Sequence, residues 1–313
     1  MDMGVIILIL IIVAALIIRY KFKCWLAQGS AEMQEIHRRI DAANNGDVDS
    51  MNWLGTYYMM ERRRMKNLSS NKANDFKNRS IQWFTKAIHF GDTDAMMTLA
   101  NQYSGVLNTD QSGVDIITDN TGFGYDPDKQ RTLIRMAAEA GDAYAQCRVA
   151  SEIEDFRNKL YWLEKAANQG YDEAYLELGN LYSNIYSHGG QYNENQDFGK
   201  AEYYYYLAMK SNESKICSWA TFNLGMVFGF SYCFDSKPNS FEDPNRALYW
   251  FQQAVWWENE NAQEYIDKIK FDTGISIGED KLRQWRSDFE NHHYLTTEQM
   301  IPDGTKYQRL NQE

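Results

Sequence analysis

Four glycines, each followed by the same short pattern, constrain the fold of this chain more than any other feature of its sequence. Gly46, Gly91, Gly141 and Gly170 are each followed eight residues later by an aliphatic residue and nine residues later by Gly or Ala. Successive glycines are 29 to 50 residues apart. Self-similarity at such a period is typical of a helical solenoid, in which stacked helical hairpins share a continuous core.

The first helix of each predicted hairpin has the form A-x-x-x-L-G-x-x-Y. Copies of it occupy residues 50–58, 95–103, 174–182 and 220–228, with a degenerate copy at 145–153. The Leu and the aromatic residue are four positions apart, so they lie on one face of the helix. The small residue that follows the Leu lets a neighbouring helix approach closely, and a larger side chain there would cost about 1–3 kcal/mol. These small residues are Gly55, Ala100, Ala150 and Gly179.

The second helix of each hairpin repeats apolar residues at i, i+3, i+4 and i+7, as an amphipathic helix requires. These helices are predicted over residues 80–91, 131–141, 160–170, 200–210 and 246–256. The glycine at the end of several of them suits a left-handed helix cap. In the run Tyr203–Tyr206, Tyr204 aligns with the Trp of other copies. This predicts that Tyr204 is buried and that Tyr203 or Tyr206 faces outward.

Together these motifs resemble the Sel-one-like repeats, which are short relatives of the tetratricopeptide repeats. The resemblance rests on the L-G-x-x-Y helix, the D-x-x-K-A start of the second helix, its W-F/Y/L-x-x-A-A core and the closing Gly-Asp. About five units cover residues 31–270. The copy at 145–153 and the Trp256-Trp257-Glu258 ending depart from the pattern. The resemblance implies an all-α, right-handed α/α superhelical solenoid that binds proteins and has no catalytic site.

An apolar run precedes the repeats. Met3 to Ile18 is a stretch of sixteen apolar residues, and Arg19, Lys21 and Lys23 follow it. This pattern predicts an uncleaved transmembrane helix, and the flanking cations place the remainder in the cytoplasm of a bacterium, with a periplasmic location as the alternative. The sequence therefore predicts a single-pass inner-membrane protein with an anchor at 1–27, a repeat domain at 28–270 and a C-terminal helix and tail at 271–313.

Charge and composition narrow the range of functions. The net charge is −11, which argues against a nucleic-acid partner because phosphate binding needs clustered cations. The four cysteines include no C-x-x-C pair, and the five histidines stand in no metal-binding or nucleophile–base motif. We therefore expect no cofactor, no metal and no disulfide framework, and we expect Cys147 to be a small buried side chain.

The sequence predicts a membrane-tethered scaffold that binds a protein or peptide partner and is not an enzyme. The expected contact residues lie on the first helices beside the Leu-Gly stripe: Thr56, Thr98, Asn101, Arg148, Glu177, Asn180 and Asn223. One alternative is an immunity protein that neutralises a secreted toxin. The other is an enzyme whose site lies in the Gly- and Asp-rich insert at 104–126, where Asp110, Asp115 and Asp119 have no His or Lys partner.

Overall fold

The computed structural model describes residues 31–64, 70–109, 115–118, 122–185, 195–234 and 241–291. The chain divides into two compact units, Met1–Asp142 and Ala143–Glu313, which we call the N-terminal and C-terminal units.

The N-terminal unit contains two helical hairpins after a leading helix. In chain order its elements are α1 (31–44), α2 (Val48–Arg64), α3 (Ser70–His89), α4 (Thr93–Gln102), β1 (Val106–Thr109), β2 (Asp115–Thr118) and α5 (Pro127–Glu139). Helix α2 packs along α3, and α4 packs along α5. These are the first-helix and second-helix pairs that the repeat pattern predicts.

The C-terminal unit contains three further hairpins and two closing helices. In chain order its elements are α6 (Ala143–Ser151), α7 (Phe156–Ala167), α8 (Asp172–Ser183), α9 (Phe198–Ala208), α10 (Ser214–Phe228), α11 (Phe230–Phe234), α12 (Pro244–Trp256), α13 (Ala262–Thr273) and α14 (Glu279–Glu290). The hairpins are α6–α7, α8–α9 and α10–α12, and both α13 and α14 pack on α12. One large core cluster joins these helices, from Cys147 to Trp285.

The turns between repeats form as the glycine pattern predicts. Gly46, Gly91, Gly141 and Gly170 all have positive φ, between 77° and 108°. This left-handed conformation is the one that ends a helix at low cost when the residue is glycine. Asp92 then starts the next helix by accepting a hydrogen bond from the backbone N–H of Ala95 at 2.6 Å.

The predicted close approach at the small residues is confirmed, and the structure identifies the group that fills the space. A Cβ added to Gly55 would lie 2.7 Å from the ring of Phe84, and one added to Gly179 would lie 2.5 Å from the ring of Tyr205. Gly225 is in the same position against Phe251, at 2.6 Å. Each glycine thus admits an aromatic ring from the second helix of its own hairpin.

Two predictions about packing need correction. In the run Tyr203–Tyr206 the buried ring is Tyr205, which is 0% exposed, whereas Tyr204 is half-buried. The fold was expected to be all-α, but the insert at 104–126 contains an antiparallel pair of strands in which Val106 is opposite Thr118. The two strands contain several β-branched residues, which are enriched in strands.

The prediction of a single-pass membrane protein is also corrected. Within the ranges that the structure describes, no helix combines the length and the apolar character needed to cross a membrane. The apolar run of residues 3–18, on which the prediction was based, lies outside those ranges.

Candidate interaction surface

The predicted contact residues occupy two positions of the first helices, one before the Leu and two after it. In the N-terminal unit, Thr98 and Asn101 lie one turn apart on α4, where Thr98 is half-buried and Asn101 is exposed. Thr56 lies at the second of these positions on α2 and is half-buried. These three side chains reach the surface of their unit.

In the C-terminal unit the same two positions carry groups of different character. Arg148 on α6 is half-buried, Glu177 on α8 is exposed, and Asn180 on α8 is half-buried. Asn223 on α10 is only 1% exposed, so its side chain lies inside the molecule and not at a surface. Its predicted role as a direct contact residue therefore needs revision.

Asn223 and Tyr205 hold the side chain of Asn180 from behind. The Asn223 Nδ2 donates to Asn180 Oδ1 at 2.7 Å, and the Tyr205 hydroxyl donates to the same oxygen at 2.9 Å. The Tyr205 hydroxyl also lies 3.0 Å from Ser183 Oγ. Because two donors converge on Oδ1, the amide of Asn180 is fixed with its Nδ2 directed toward Glu177, 3.4 Å from Glu177 Oε1.

Glu177 is accessible to solvent and yet closely surrounded. Desolvation by its neighbours raises the pKa of this carboxyl group, and the nearby carboxylate of Glu173 raises it further, against the hydrogen bond from Asn180 and the charge of Lys159. A cation that approaches Glu177 would restore the stabilisation that the carboxylate has lost.

Arg148 is positioned by its own helix. Its Nη1 donates to the Tyr144 hydroxyl at 3.2 Å, and its guanidinium carbon lies 5.9 Å from the centre of the Tyr144 ring. Both groups lie one turn apart on α6, and Tyr144 is 40% exposed. This degenerate repeat therefore presents a cation on an aromatic ring at the position that carries Glu177 in the next repeat.

Other potentially reactive side chains in the described part of the chain are buried or lie beside backbone carbonyls of their own helix. Burial raises the pKa of the Cys147 thiol to about 12, which makes it a poor nucleophile. His37 and His89 each lie within hydrogen-bond distance of a carbonyl four residues earlier. Among the described residues, no group of three or more His, Cys, Asp or Glu side chains could hold a metal ion.

The insert that was considered as an enzyme site is only partly described. Asp115 lies in β2, opposite Thr109. Asp110 and Asp119 lie outside the described residues, as do His188, His292, His293 and Cys24.

The sequence did not predict that Tyr205, Ser183 and Asn223 orient Asn180. Tyr205 lies in a run of four tyrosines, which has no periodicity from which to choose the inward ring. Ser183 and Asn223 lie on either side of it in the chain, and Asn223 is 43 residues from Asn180. One feature of the sequence could have indicated this arrangement. Gly179 directly precedes Asn180, and a glycine at this helix junction leaves space for a large ring close to the asparagine.

Comparison with solved structures shows the fold of this chain. No protein-family model matches this chain, and no match was found among curated proteins. Among solved structures, a Sel1 repeat protein from Oxalobacter formigenes is 19% identical and superimposes with a TM-score of 0.50. The match covers 84% of this chain and 66% of that protein, so the chain spans just under two thirds of its length.

Two further solved structures are more distant. One is a protective antigen of uropathogenic Escherichia coli with an SLR fold, which is 18% identical over 87% of this chain and 68% of its own, with a TM-score of 0.40. The other is an immunity protein from Pseudomonas aeruginosa, which is 16% identical over 76% of this chain and 81% of its own, with a TM-score of 0.34. The fold of this chain, a succession of helical hairpins, is thus similar to that of the Sel1 repeat protein from Oxalobacter.

Proposed function

We propose that this protein is a protein–protein interaction module that binds extended segments of a partner on the first helices of the repeats in each of its units. The repeat fold supports this proposal, because stacked hairpins present the same helix positions again and again to one ligand. The observation that carries it is the preset amide of Asn180. Two hydrogen bonds from within the chain hold this side chain in place.

A fixed amide suits recognition of a peptide backbone. The Oδ1 of Asn180 is already occupied by Tyr205 and Asn223. We expect the Nδ2 to donate to a backbone carbonyl of the partner, so that little side-chain entropy is lost on binding. Asn223 then acts as a positioning residue, which gives this buried side chain a role in the site although it cannot touch the partner itself.

The carboxylate next to Asn180 defines the charge of the partner. Glu177 is exposed, and its pKa is raised by desolvation and by Glu173. We expect a Lys or Arg of the bound segment to pair with Glu177. A cation there would be attracted by two carboxylates and would meet the net negative charge of the whole chain.

Thr56, Thr98 and Asn101 form the corresponding positions of the N-terminal unit. Asn101 stands at the same place in its repeat as Asn180, two residues after the Leu. Asn101 is exposed. We expect these residues to bind partner backbone with less selectivity than Asn180, because the neutral Thr98 takes the place of Glu177.

The test is a selection of unstructured peptides from a display library on the immobilised chain, followed by affinity measurements on the enriched peptides. We expect enriched peptides to carry Lys or Arg. Asn180→Ala should weaken their binding about tenfold, and Glu177→Gln several-fold with a loss of salt dependence. Asn245→Ala and Glu264→Gln change exposed residues of α12 and α13 and serve as matched controls. No enrichment, or equal affinity of all four variants, contradicts the proposal.

A further inference from the structure

A second surface of the C-terminal unit is marked by a tyrosine that recurs on its second helices. Tyr161 on α7, Tyr203 on α9 and Tyr249 on α12 each stand two residues before the ring or Leu that packs on the small residue of the first helix. Two residues correspond to about 200° around a helix, so all three tyrosines point away from the first helices. This surface is therefore distinct from the one that carries Asn180.

Each of these tyrosines has the same local geometry. Its ring meets the next aromatic ring along the helix edge to face, with centroids 5.2 Å apart for Tyr161–Trp162, 5.3 Å for Tyr203–Tyr204 and 4.9 Å for Tyr249–Trp250. Such aromatic pairs are rigid and offer a large area at small cost in side-chain entropy. The three positions are thus three copies of one structural feature.

The copies differ in what covers them. Tyr249 is 2% exposed, because helix α14 lies on α12 and places Trp285 against it, with ring centroids 5.3 Å apart. Tyr161 and Tyr203 are 51% and 56% exposed. The chain thus shows how this feature is covered in one repeat, whereas in the two preceding repeats its tyrosine remains exposed.

Helix α14 shows what kind of element fits. Trp285 packs on Tyr249 and its carbonyl accepts a hydrogen bond from Gln253 at 3.3 Å, while Phe289 lies 5.6 Å from the Trp256 ring and 5.1 Å from the Trp257 ring. The two anchors are four residues apart and so share one face of α14. Leu282 also packs against the core, and the other residues of this helix are polar, with four carboxylates and three cations in EDKLRQWRSDFE.

The charges around the exposed copies favour an acidic helix. Arg157 and Lys165 on α7 are exposed, as is Lys210, seven residues beyond Tyr203. Lys165 Nζ lies 4.6 Å from the centre of the Tyr161 ring. The opposing carboxylates are Glu164 and Asp155, the N-cap residue of α7, both also exposed. In a chain of net charge −11, this is a locally basic border to an aromatic surface.

We propose that the outward face of α7 and α9, which contains Tyr161 and Tyr203, docks an acidic amphipathic helix of a partner protein in the way that α14 docks on α12. An aromatic anchor of the partner packs on Tyr203, and its carboxylates face Lys165 and Lys210. This is a helix-binding surface, in addition to the segment-binding surface of the first helices. Its contacts share no residue with those of Asn180 and Glu177, so each proposal can fail without the other.

The test uses a helix-stapled, fluorescent peptide with the sequence of Glu279–Glu290 as the probe, titrated with the full chain and followed by anisotropy. We expect binding that Tyr203→Ala weakens at least tenfold and that Tyr161→Ala weakens to a smaller extent. Tyr125→Ala, which removes an exposed tyrosine of the N-terminal unit, should leave it unchanged. A peptide with Trp285→Ala should not bind.

Each other outcome overturns the proposal. If the peptide does not bind, or binds equally to the Tyr203→Ala chain, the exposed face does not take a helix, and any binding reflects exchange with α14 on α12. Sedimentation of the chain without peptide gives a second decision. Self-association that Tyr203→Ala abolishes would identify a second copy, and not a partner helix, as the occupant. Removal of residues 292–313 should leave the affinity unchanged, whereas a gain of tenfold or more would identify that segment as the occupant.

Discussion

Two successive hairpins of the C-terminal unit, α6–α7 and α8–α9, solve the same packing problem in different ways. In α6–α7 the first helix contributes Ala150, and Leu163 stands at the facing position of the second helix; both are buried. In α8–α9 the corresponding residues are Gly179 and Tyr205. The side-chain volume that the first helix loses is gained by the second helix, because a ring replaces an aliphatic side chain where Gly replaces Ala.

The same compensation extends through the chain. Gly55 faces Phe84 and Gly225 faces Phe251. Ala100 stands in the position of these glycines, and Ile134 in the position of these rings, with both residues buried. A protein interior tolerates substitution when total volume is kept, so the two kinds of junction are alternative solutions at equal volume. When the ring at a glycine junction belongs to tyrosine, the junction also gains a hydroxyl group that can form hydrogen bonds.

The largest expected effect follows from adding one methyl group to the α8–α9 junction. Gly179→Ala places Cβ against the Tyr205 ring, which is fully buried and held by hydrogen bonds at its hydroxyl. We expect the free energy of unfolding to fall by about 2–3 kcal/mol. Urea denaturation followed by circular dichroism measures it.

Gly278→Ala is the matched control for Gly179→Ala. Gly278 has an ordinary φ of −68°, and no atom lies within 4 Å of the position of its added Cβ. Gly278 is the N-cap of α14, where alanine is less favourable than glycine, so we expect the free energy of unfolding to fall by no more than about 1 kcal/mol. Equal midpoints for the two alanine variants would show that the glycine junction is not tightly packed.

The next prediction tests whether the volume lost on one helix is compensated by the volume gained on the other. It uses the α2–α3 junction, where the ring carries no polar group. Gly55→Ala overfills the contact with Phe84, and Phe84→Ile leaves it underfilled. We expect each change alone to lower the free energy of unfolding, and the two together to lower it by about 1–2 kcal/mol less than the sum, because the pair then matches Ala100 and Ile134. Denaturation of all four proteins gives this coupling energy.

If the losses in free energy of unfolding from Gly55→Ala and Phe84→Ile simply add, the two kinds of junction are not equivalent in volume. Additivity would mean that the ring of Phe84 moves aside when Gly55 gains a methyl group. The unfolding slope in urea should stay the same in all four proteins, which excludes a change in the denatured state as the source of the coupling.

The fold was predictable from the sequence because its determinants are local. A left-handed turn needs glycine, and a helix face needs apolar residues three and four apart, so Gly141 and the apolar stripe of residues 131–141 could be recognised within one stretch of chain. The small residue after each Leu also predicted close contact. Its partner was not predictable in α9, where four consecutive tyrosines give no period.

The candidate surface was predictable only in part. Register alone placed Glu177 and Asn180 on one exposed face of α8. It gave Asn223 the same role, although Asn223 lies inside and donates to Asn180 across 43 residues of chain. Such a pairing depends on how neighbouring hairpins stack. The docking of α14 on α12 is likewise a contact between distant segments, so the sequence did not reveal why Tyr249 and Tyr203 differ.

A smaller effect is expected from removal of the Tyr205 hydroxyl at the α8–α9 junction. Tyr205→Phe keeps the ring against Gly179 and removes the hydroxyl that joins Asn180 and Ser183. We expect a loss of about 1 kcal/mol, because Asn223 still donates to Asn180 Oδ1 and covers part of the deficit. Urea denaturation measures the loss, with Tyr161→Phe, an exposed tyrosine of the α6–α7 hairpin, as the control. A loss no greater than that of the control would show that the hydroxyl adds no net stability. Tyr205 would then stabilise the junction only through the packing of its ring.

The smallest effect concerns a charge that α9 has and α7 lacks. Glu202 is buried beside Arg246, with 3.2 Å between Glu202 Oε1 and Arg246 Nη2, whereas the equivalent residue of α7 is Leu160. Burial raises the pKa of Glu202 to about 7, although the charge of Arg246 and a hydrogen bond from Tyr206 oppose this. The folded chain therefore holds this proton more tightly than the unfolded chain does. The stability from Glu202 is complete below its unfolded pKa and is lost as the pH rises through about 7.

The pH dependence of unfolding separates the two hairpins at this position. Between about pH 6.5 and about pH 8 we expect the free energy of unfolding to fall by roughly 0.8 kcal/mol on account of Glu202. Glu202→Gln should remove this part of the slope, whereas Glu164→Gln, an exposed carboxylate of α7, should leave it unchanged. A slope that persists in Glu202→Gln would mean that Arg246 keeps Glu202 ionised throughout. In that case α9 and α12 are joined by a permanent ion pair, and the contrast with Leu160 is one of charge as well as of volume.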